Sequence, residues 1–126
     1  MIDVRQSRAA CAACVLASLL VLGVATLASA HTQVTSSSPA SGTTAKRTIS
    51  RVTVTFSGQL RSGTLRVVGP GGKVASKSSG GRDPRNPSRL LVGLKGSLAA
   101  GGYKASWTIV AADGHRLKGS FRFRVA

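Results

Sequence analysis

Apolar and polar positions alternate along much of this chain. Val52, Val54 and Phe56 alternate with Arg51, Thr53 and Thr55, and Leu65 and Val67 alternate with Thr64 and Arg66. Tyr103, Ala105, Trp107 and Ile109 alternate with Lys104, Ser106 and Thr108, and Phe121, Phe123 and Val125 alternate with Arg122 and Arg124. A two-residue period places successive side chains on opposite faces of a strand, so each run predicts a strand with one buried and one wet face. Segments 33–37, 73–77 and 89–94 predict weaker strands. Gly69-Pro70-Gly71-Gly72 predicts a tight turn, Ser78 to Ser88 a polar loop holding two prolines, and Gly101-Gly102 the start of the Tyr103 strand. Beyond residue 30 no stretch has the 3.6-residue period of a long amphipathic helix. Short strands at this spacing predict an all-β domain, a small antiparallel sandwich or Greek-key barrel. No repeat or linker divides it. The alternating apolar residues form the expected core, with Trp107 as a core anchor rather than a ligand-binding aromatic.

The first thirty residues follow another pattern. Arg5 and Arg8 form a positive segment, Val15 to Leu27 is an apolar run, and Ala28-Ser29-Ala30 is a small-x-small site. This is the order of a cleavable secretory signal peptide, with Ala28 and Ala30 marking the cut. The run is shorter than the roughly 20 residues of a membrane span. The expected division is a signal over 1–30 and one mature, extracytoplasmic domain over 31–126. Cys11 and Cys14 both lie within the signal, so Cys-x-x-Cys there reads as incidental composition, and the mature domain is expected to hold together without a disulfide.

Charge adds a second theme. The chain carries 18 Lys and Arg against 3 acids, a net charge of +15, and all but one unit of that charge lies beyond residue 30. Asp83 and Asp113 are the acids there. Such a balance suggests an anionic neighbour, whether lipid headgroups, cell-wall polymer or nucleic acid, or else a solvated surface that aids solubility. The basic residues are scattered along the sequence rather than run together.

The chemistry-bearing residues are few. The histidines are His31 and His115. Cleavage after Ala30 makes His31 the mature N-terminus, where an α-amine and an imidazole on one residue can chelate one ion. Asp113-Gly114-His115 lies between the Tyr103 and Phe121 runs. In extended backbone, positions 113 and 115 point to the same side, so a carboxylate and an imidazole converge. Asp-Gly is also an ordinary hairpin turn. Together, an amine, two imidazoles and a carboxylate make a donor set suited to Cu(II), with zinc as the rival ion.

Several motifs resemble the CopC family of copper-binding proteins. They are Ala30-His31-Thr32 with Ser38-Pro39-Ala40-Ser41-Gly42, Val52-Thr53-Val54-Thr55-Phe56-Ser57, Gly102-Tyr103-Lys104-Ala105-Ser106-Trp107, and above all Ala112-Asp113-Gly114-His115 followed by Gly119-Ser120-Phe121-Arg122-Phe123. The resemblance covers residues 31–126, most loosely over 78–90. It implies a small Greek-key, immunoglobulin-like β-sandwich that binds copper in the periplasm or elsewhere outside the cytoplasm. It also implies one Cu(II) per mature chain, held by the amine and imidazole of His31, the carboxylate of Asp113 and the imidazole of His115. Two departures stand out. Met1 is the single methionine, so no methionine-rich Cu(I) site is expected. Many relatives have an acid after the Phe-Ser pair, where this chain has Gly58.

The expected role is therefore copper resistance or homeostasis by sequestering or delivering Cu(II), not catalysis. The expected partners are the copper ion, a membrane copper transporter of the CopD type and an anionic envelope surface; no nucleic acid is expected. Two alternatives belong to other classes. A copper-dependent oxidative enzyme built on an N-terminal histidine needs an open position for oxygen and a broad aromatic face, and this chain has one Trp and one Tyr. A basic cell-surface β-module would bind no metal.

Overall fold

The computed structural model describes residues 31–126; the expected signal segment, with Cys11, Cys14, Ala28 and Ala30, lies outside them. Thr32–Ala126 forms one compact unit built of strands. The eight strands are β1 (Val34–Ser38), β2 (Thr44–Ala45), β3 (Arg51–Phe56), β4 (Leu60–Val68), β5 (Gly81–Asp83), β6 (Asn86–Gly93), β7 (Gly101–Ala111) and β8 (Arg116–Val125). They form two four-stranded sheets, ordered β1-β3-β6-β5 and β2-β8-β7-β4. The chain passes repeatedly between them, giving the expected Greek-key-like sandwich. Every pairing is antiparallel except β2 with β8, which is parallel.

The inward faces are those the alternation predicts. Val52, Val54, Phe56, Leu90 and Val92 of one sheet meet Leu65, Val67, Ala105, Ile109 and Phe123 of the other, all buried. Trp107 is half-buried and sets its ring edge-on to Phe56, with centroids 5.0 Å apart and planes at 82°. Gly119 lies directly opposite Trp107 in the β7–β8 register and leaves room for the indole. Tyr103 stacks on Phe123 and donates its hydroxyl to the Ala99 carbonyl at 2.6 Å, a bond that fixes the entry to β7.

Two expectations change and one strand is new. Segment 73–77 is not a strand; it touches its neighbours through single bridges, Val68 with Val74 and Ser76 with Leu94. The buried Ser76 hydroxyl accepts from the Val67 amide there, tying the segment down without a ladder. The polar loop 78–88 instead contains β5, a turn at 84–85 and the start of β6. Asp83 organises it: one carboxylate oxygen accepts from the Arg85 amide at 2.9 Å, and the other pairs with the Arg89 guanidinium. β2, two residues long, is too short to leave a periodic signal.

Candidate metal centre

β7 and β8 are the longest strands, and they pair without a break from Gly101–Val125 to Val110–Arg116. The connection at their far end is Ala112-Asp113-Gly114. The Gly114 amide donates to the Ala111 carbonyl and the Ala111 amide donates to the His115 carbonyl, both at 2.9 Å. Gly114 has φ +89°, the left-handed conformation glycine adopts without steric cost. This is the three-residue hairpin loop in which a tight turn is followed by a left-handed residue.

Asp113 closes on His115, the residue that follows that loop. Its Oδ1 accepts from the His115 amide at 2.9 Å, and its Oδ2 lies 2.8 Å from His115 Nδ1. The sequence reading brought the two together through extended backbone. The structure does so through a turn, because the aspartate side chain captures the amide two residues on. The hairpin turn and the convergence of donors are thus one feature. Both side chains are exposed, at 59% for Asp113 and 75% for His115. Their hydrogen bond, with the attraction of opposite charges, holds the Asp113 carboxyl below the usual carboxylate range and pushes the His115 imidazole up.

Two neighbours brace the loop. Arg61 Nε donates to the Ala112 carbonyl at 3.0 Å, and the Ala112 amide donates to the Gln59 carbonyl at 3.2 Å. The β3–β4 connection therefore lies against the donor-bearing turn. The same connection holds the start of β1. The Ser57 amide donates to the Gln33 carbonyl, the Gln33 amide donates to Ser57 Oγ, and Thr32 Oγ1 lies 3.4 Å from where a side chain on Gly58 would begin. Sequence reasoning missed Arg61 and Gln59. Arg61 lies at a register shift between Leu60 and Ser62 and Gln59 bonds through its backbone carbonyl, neither of which alternation reveals.

His31 is exposed and lies outside the compact unit that begins at Thr32. Among the described residues no three His, Cys, Asp or Glu side chains gather as a metal-binding group. Of the sequence-predicted donors, the structure brings together Asp113 and His115.

Comparison with known proteins bears on both fold and family. Protein YobA of Escherichia coli (strain K12) is 29% identical over 98 residues, covering 76% of this chain and 79% of YobA. CopC from Methylosinus trichosporium OB3b superposes with a TM-score of 0.62 at 22% identity, over 75% of this chain and 93% of that one. PcoC, a methionine-rich copper resistance protein from Escherichia coli, superposes with a TM-score of 0.64 at 22% identity, over 77% and 100%. These two structures share the sandwich. The family model described as the CopC domain matches residues 34–126, from the first residue of β1 to the end of the chain. With that match spanning both sheets and the Asp113–His115 turn, the chain belongs to the CopC domain family.

Proposed function

We propose that this protein is exported, is cut after Ala30, and binds one Cu(II) ion per chain through the α-amine and imidazole of His31, the Asp113 carboxylate and the His115 imidazole. The observation that carries the reading is the paired donor set at the β7–β8 turn, Asp113 Oδ2 2.8 Å from His115 Nδ1. That spacing is a hydrogen bond between the imidazole and the carboxylate, and an ion binding there replaces its proton; the turn keeps both side chains together and open to solvent.

The contribution of His31 rests on chain order: cleavage after Ala30 makes it the mature N-terminus, with an α-amine and an imidazole on one residue. A donor set of nitrogens and one carboxylate suits tetragonal Cu(II), and cleavage after Ala30 removes Met1, the single methionine, leaving no thioether for Cu(I).

The function is capture and delivery. With four donors from one chain the plane around the ion is full, which favours holding or transferring copper over binding a second reactant. The ion is cargo, buffered outside the cytoplasm or passed to a membrane transporter. Strong positive charge opposes the approach of Cu²⁺ at long range, but salt screens it beyond about 8–10 Å and coordination dominates at contact.

The test is a Cu(II) titration of the exported protein, its intact mass recorded, beside a version carrying a six-residue Gly/Ser extension ahead of His31. The processed parent is expected to bind one equivalent with a nitrogen-rich paramagnetic spectrum. The extended version keeps the fold but loses the amine chelate, so its affinity falls. Equal affinity of the two, or a mass showing that His31 is not the first residue, would refute the site.

A further inference from the structure

The inward side chains of β7 and β8 fill the core, so the alternate ones form the outer face of their sheet. The register sets Gly102 opposite Arg124, Lys104 opposite Arg122, Ser106 opposite Ser120, Thr108 opposite Lys118 and Val110 opposite Arg116. On the other side of β7, Arg66 of β4 lies opposite Ser106. Residues scattered over the sequence are thereby gathered. Arg66, Lys104, Arg116, Lys118, Arg122 and Arg124 stand exposed on one sheet face. The hydroxyls of Ser106, Thr108 and Ser120 fill the spaces between them.

No acid relieves this face among the described residues. Asp83 belongs to the other sheet, where it pairs with Arg89, and Asp113 sits in the turn at the end of the hairpin, engaged with His115. Lys104 and Arg122 are directly opposed like charges, which destabilise a sheet. A surface serving solubility alone is better built from interspersed signs. Six cations kept together on a broad face are stabilised when that face meets a negatively charged surface.

The shape of the face selects the partner. From Arg116 to Arg124 it runs about 27 Å along β8, and β8, β7 and β4 lie about 4.8 Å apart. Its aromatic neighbours point the other way: Tyr103 and Phe123 are buried, and Trp107 and Phe121 pack on the core. A single-stranded nucleic acid would need exposed rings for base stacking. A duplex reader needs a helix or ribbon that enters a groove. A layer of phosphates needs neither. We infer that the outer face of the β2-β8-β7-β4 sheet docks on an anionic lipid surface, its Lys and Arg meeting headgroup phosphates and the hydroxyls donating to them, with no apolar insertion.

Basic residues brought to an anionic leaflet contribute about a fivefold gain in partition each. The test is co-sedimentation of the exported protein with vesicles of phosphatidylglycerol and phosphatidylcholine, against vesicles of phosphatidylcholine alone. Binding is expected to the first and not the second, and to disappear in 0.5 M salt, a concentration at which the screening length is only a few ångströms, about 4 Å. K104S/R122T is expected to weaken binding roughly 25-fold. The charge-matched K77S/K95S, whose changes lie off this face, is expected to leave it within about fivefold of the parent. Thermal melting checks folding: K104S/R122T removes opposed like charges and is expected to melt no lower than the parent. If it does melt lower, R66T/K118T gives the same roughly 25-fold reading from other positions. Absent binding, equal binding to uncharged vesicles, equal losses in the face and control variants, or tighter face-dependent retention on duplex DNA than on vesicles would each overturn the inference.

Discussion

Replacing Asp113 by asparagine separates the two things that residue does. Asn keeps an oxygen that can accept from the His115 amide, the 2.9 Å bond that shapes the turn, but it lacks the charge facing His115 Nδ1 at 2.8 Å. Alanine removes both. On the proposed site, D113N loses a direct carboxylate donor, which costs at least the 10–100-fold that losing a group merely adjacent to the ligands typically costs. We expect D113N to weaken Cu(II) by at least that factor at neutral pH, and D113A to weaken it further because the turn also loosens. The pH dependence has a definite sign. Asp113 raises the His115 pKa, so in the parent a proton competes with copper at His115 to higher pH than in the variant. In D113N the His115 pKa falls back toward its ordinary value of 6.5. The variant therefore suffers less proton competition in acid, and its copper deficit is largest above the parent's His115 pKa and shrinks below it. Competitive Cu(II) titration at several pH values, with NMR titration of the His115 ring in the apo protein, measures both effects. Unchanged affinity in D113N at neutral pH would remove Asp113 from the site. An unchanged His115 pKa would show that the Asp113–His115 contact is not made in solution.

Two further outcomes test the scaffold. A Cβ on Gly119 would come within 2.4 Å of Trp107 Cζ2 and 2.8 Å of Cε2, so G119A forces an indole pinned by Phe56 to move. We expect a loss of about 1–3 kcal/mol, read as a lower melting temperature with altered fluorescence of the single tryptophan; an unchanged melt and spectrum would refute the packing. Y103F removes the 2.6 Å bond to the Ala99 carbonyl and is expected to cost about 0.5–1.5 kcal/mol, a decrease of several degrees in the melt, while copper affinity stays at the parental value.

The sandwich was legible where burial imposes a period. Runs around Val54, Trp107 and Phe123 each announced a strand because one face of each is inside. Where a strand end is mostly exposed, as over Arg116–Ser120, the ladder of backbone bonds extends it beyond its apolar signal. The β5–β6 hairpin was hidden by its prolines. Pro84 occupies the turn, and Pro87 falls at an exposed position of β6 outside the paired register, where a missing amide does no harm. At the candidate site the residue types Asp113 and His115 were legible, but the means of their convergence was not, since it depends on hydrogen bonds inside a turn. The cationic face was illegible for a different reason. Arg66, Lys104 and Arg122 are far apart in sequence, and only the register of three strands makes them neighbours.

The β7–β8 turn is tied to more than the metal donors. It closes a ladder whose nearest pair is Val110 with Arg116. A slip of one residue in a strand exchanges its faces. On β8 it would turn Phe123 and Val125 to solvent and carry Arg122 and Arg124 into the core. The burial of Phe123 and Val125 thus locks the register, the register sets the basic face, and the turn that closes the hairpin holds Asp113 on His115. Gly114 is where this chain of dependence is most exposed to test. At φ +89° an alanine is strained by roughly 1–2 kcal/mol, although the space there is open, with Arg61 Nη1 3.6 Å from a new Cβ. Because the buried side chains forbid a slip, the strain of G114A must fall on the loop rather than on the ladder. We expect a modestly lower melting temperature, weaker Cu(II) binding and a His115 pKa shifted toward its ordinary value, with amide exchange along β7 and β8 unchanged beyond the first pair. Accelerated exchange along the whole hairpin would show that the turn, not the core, holds the register.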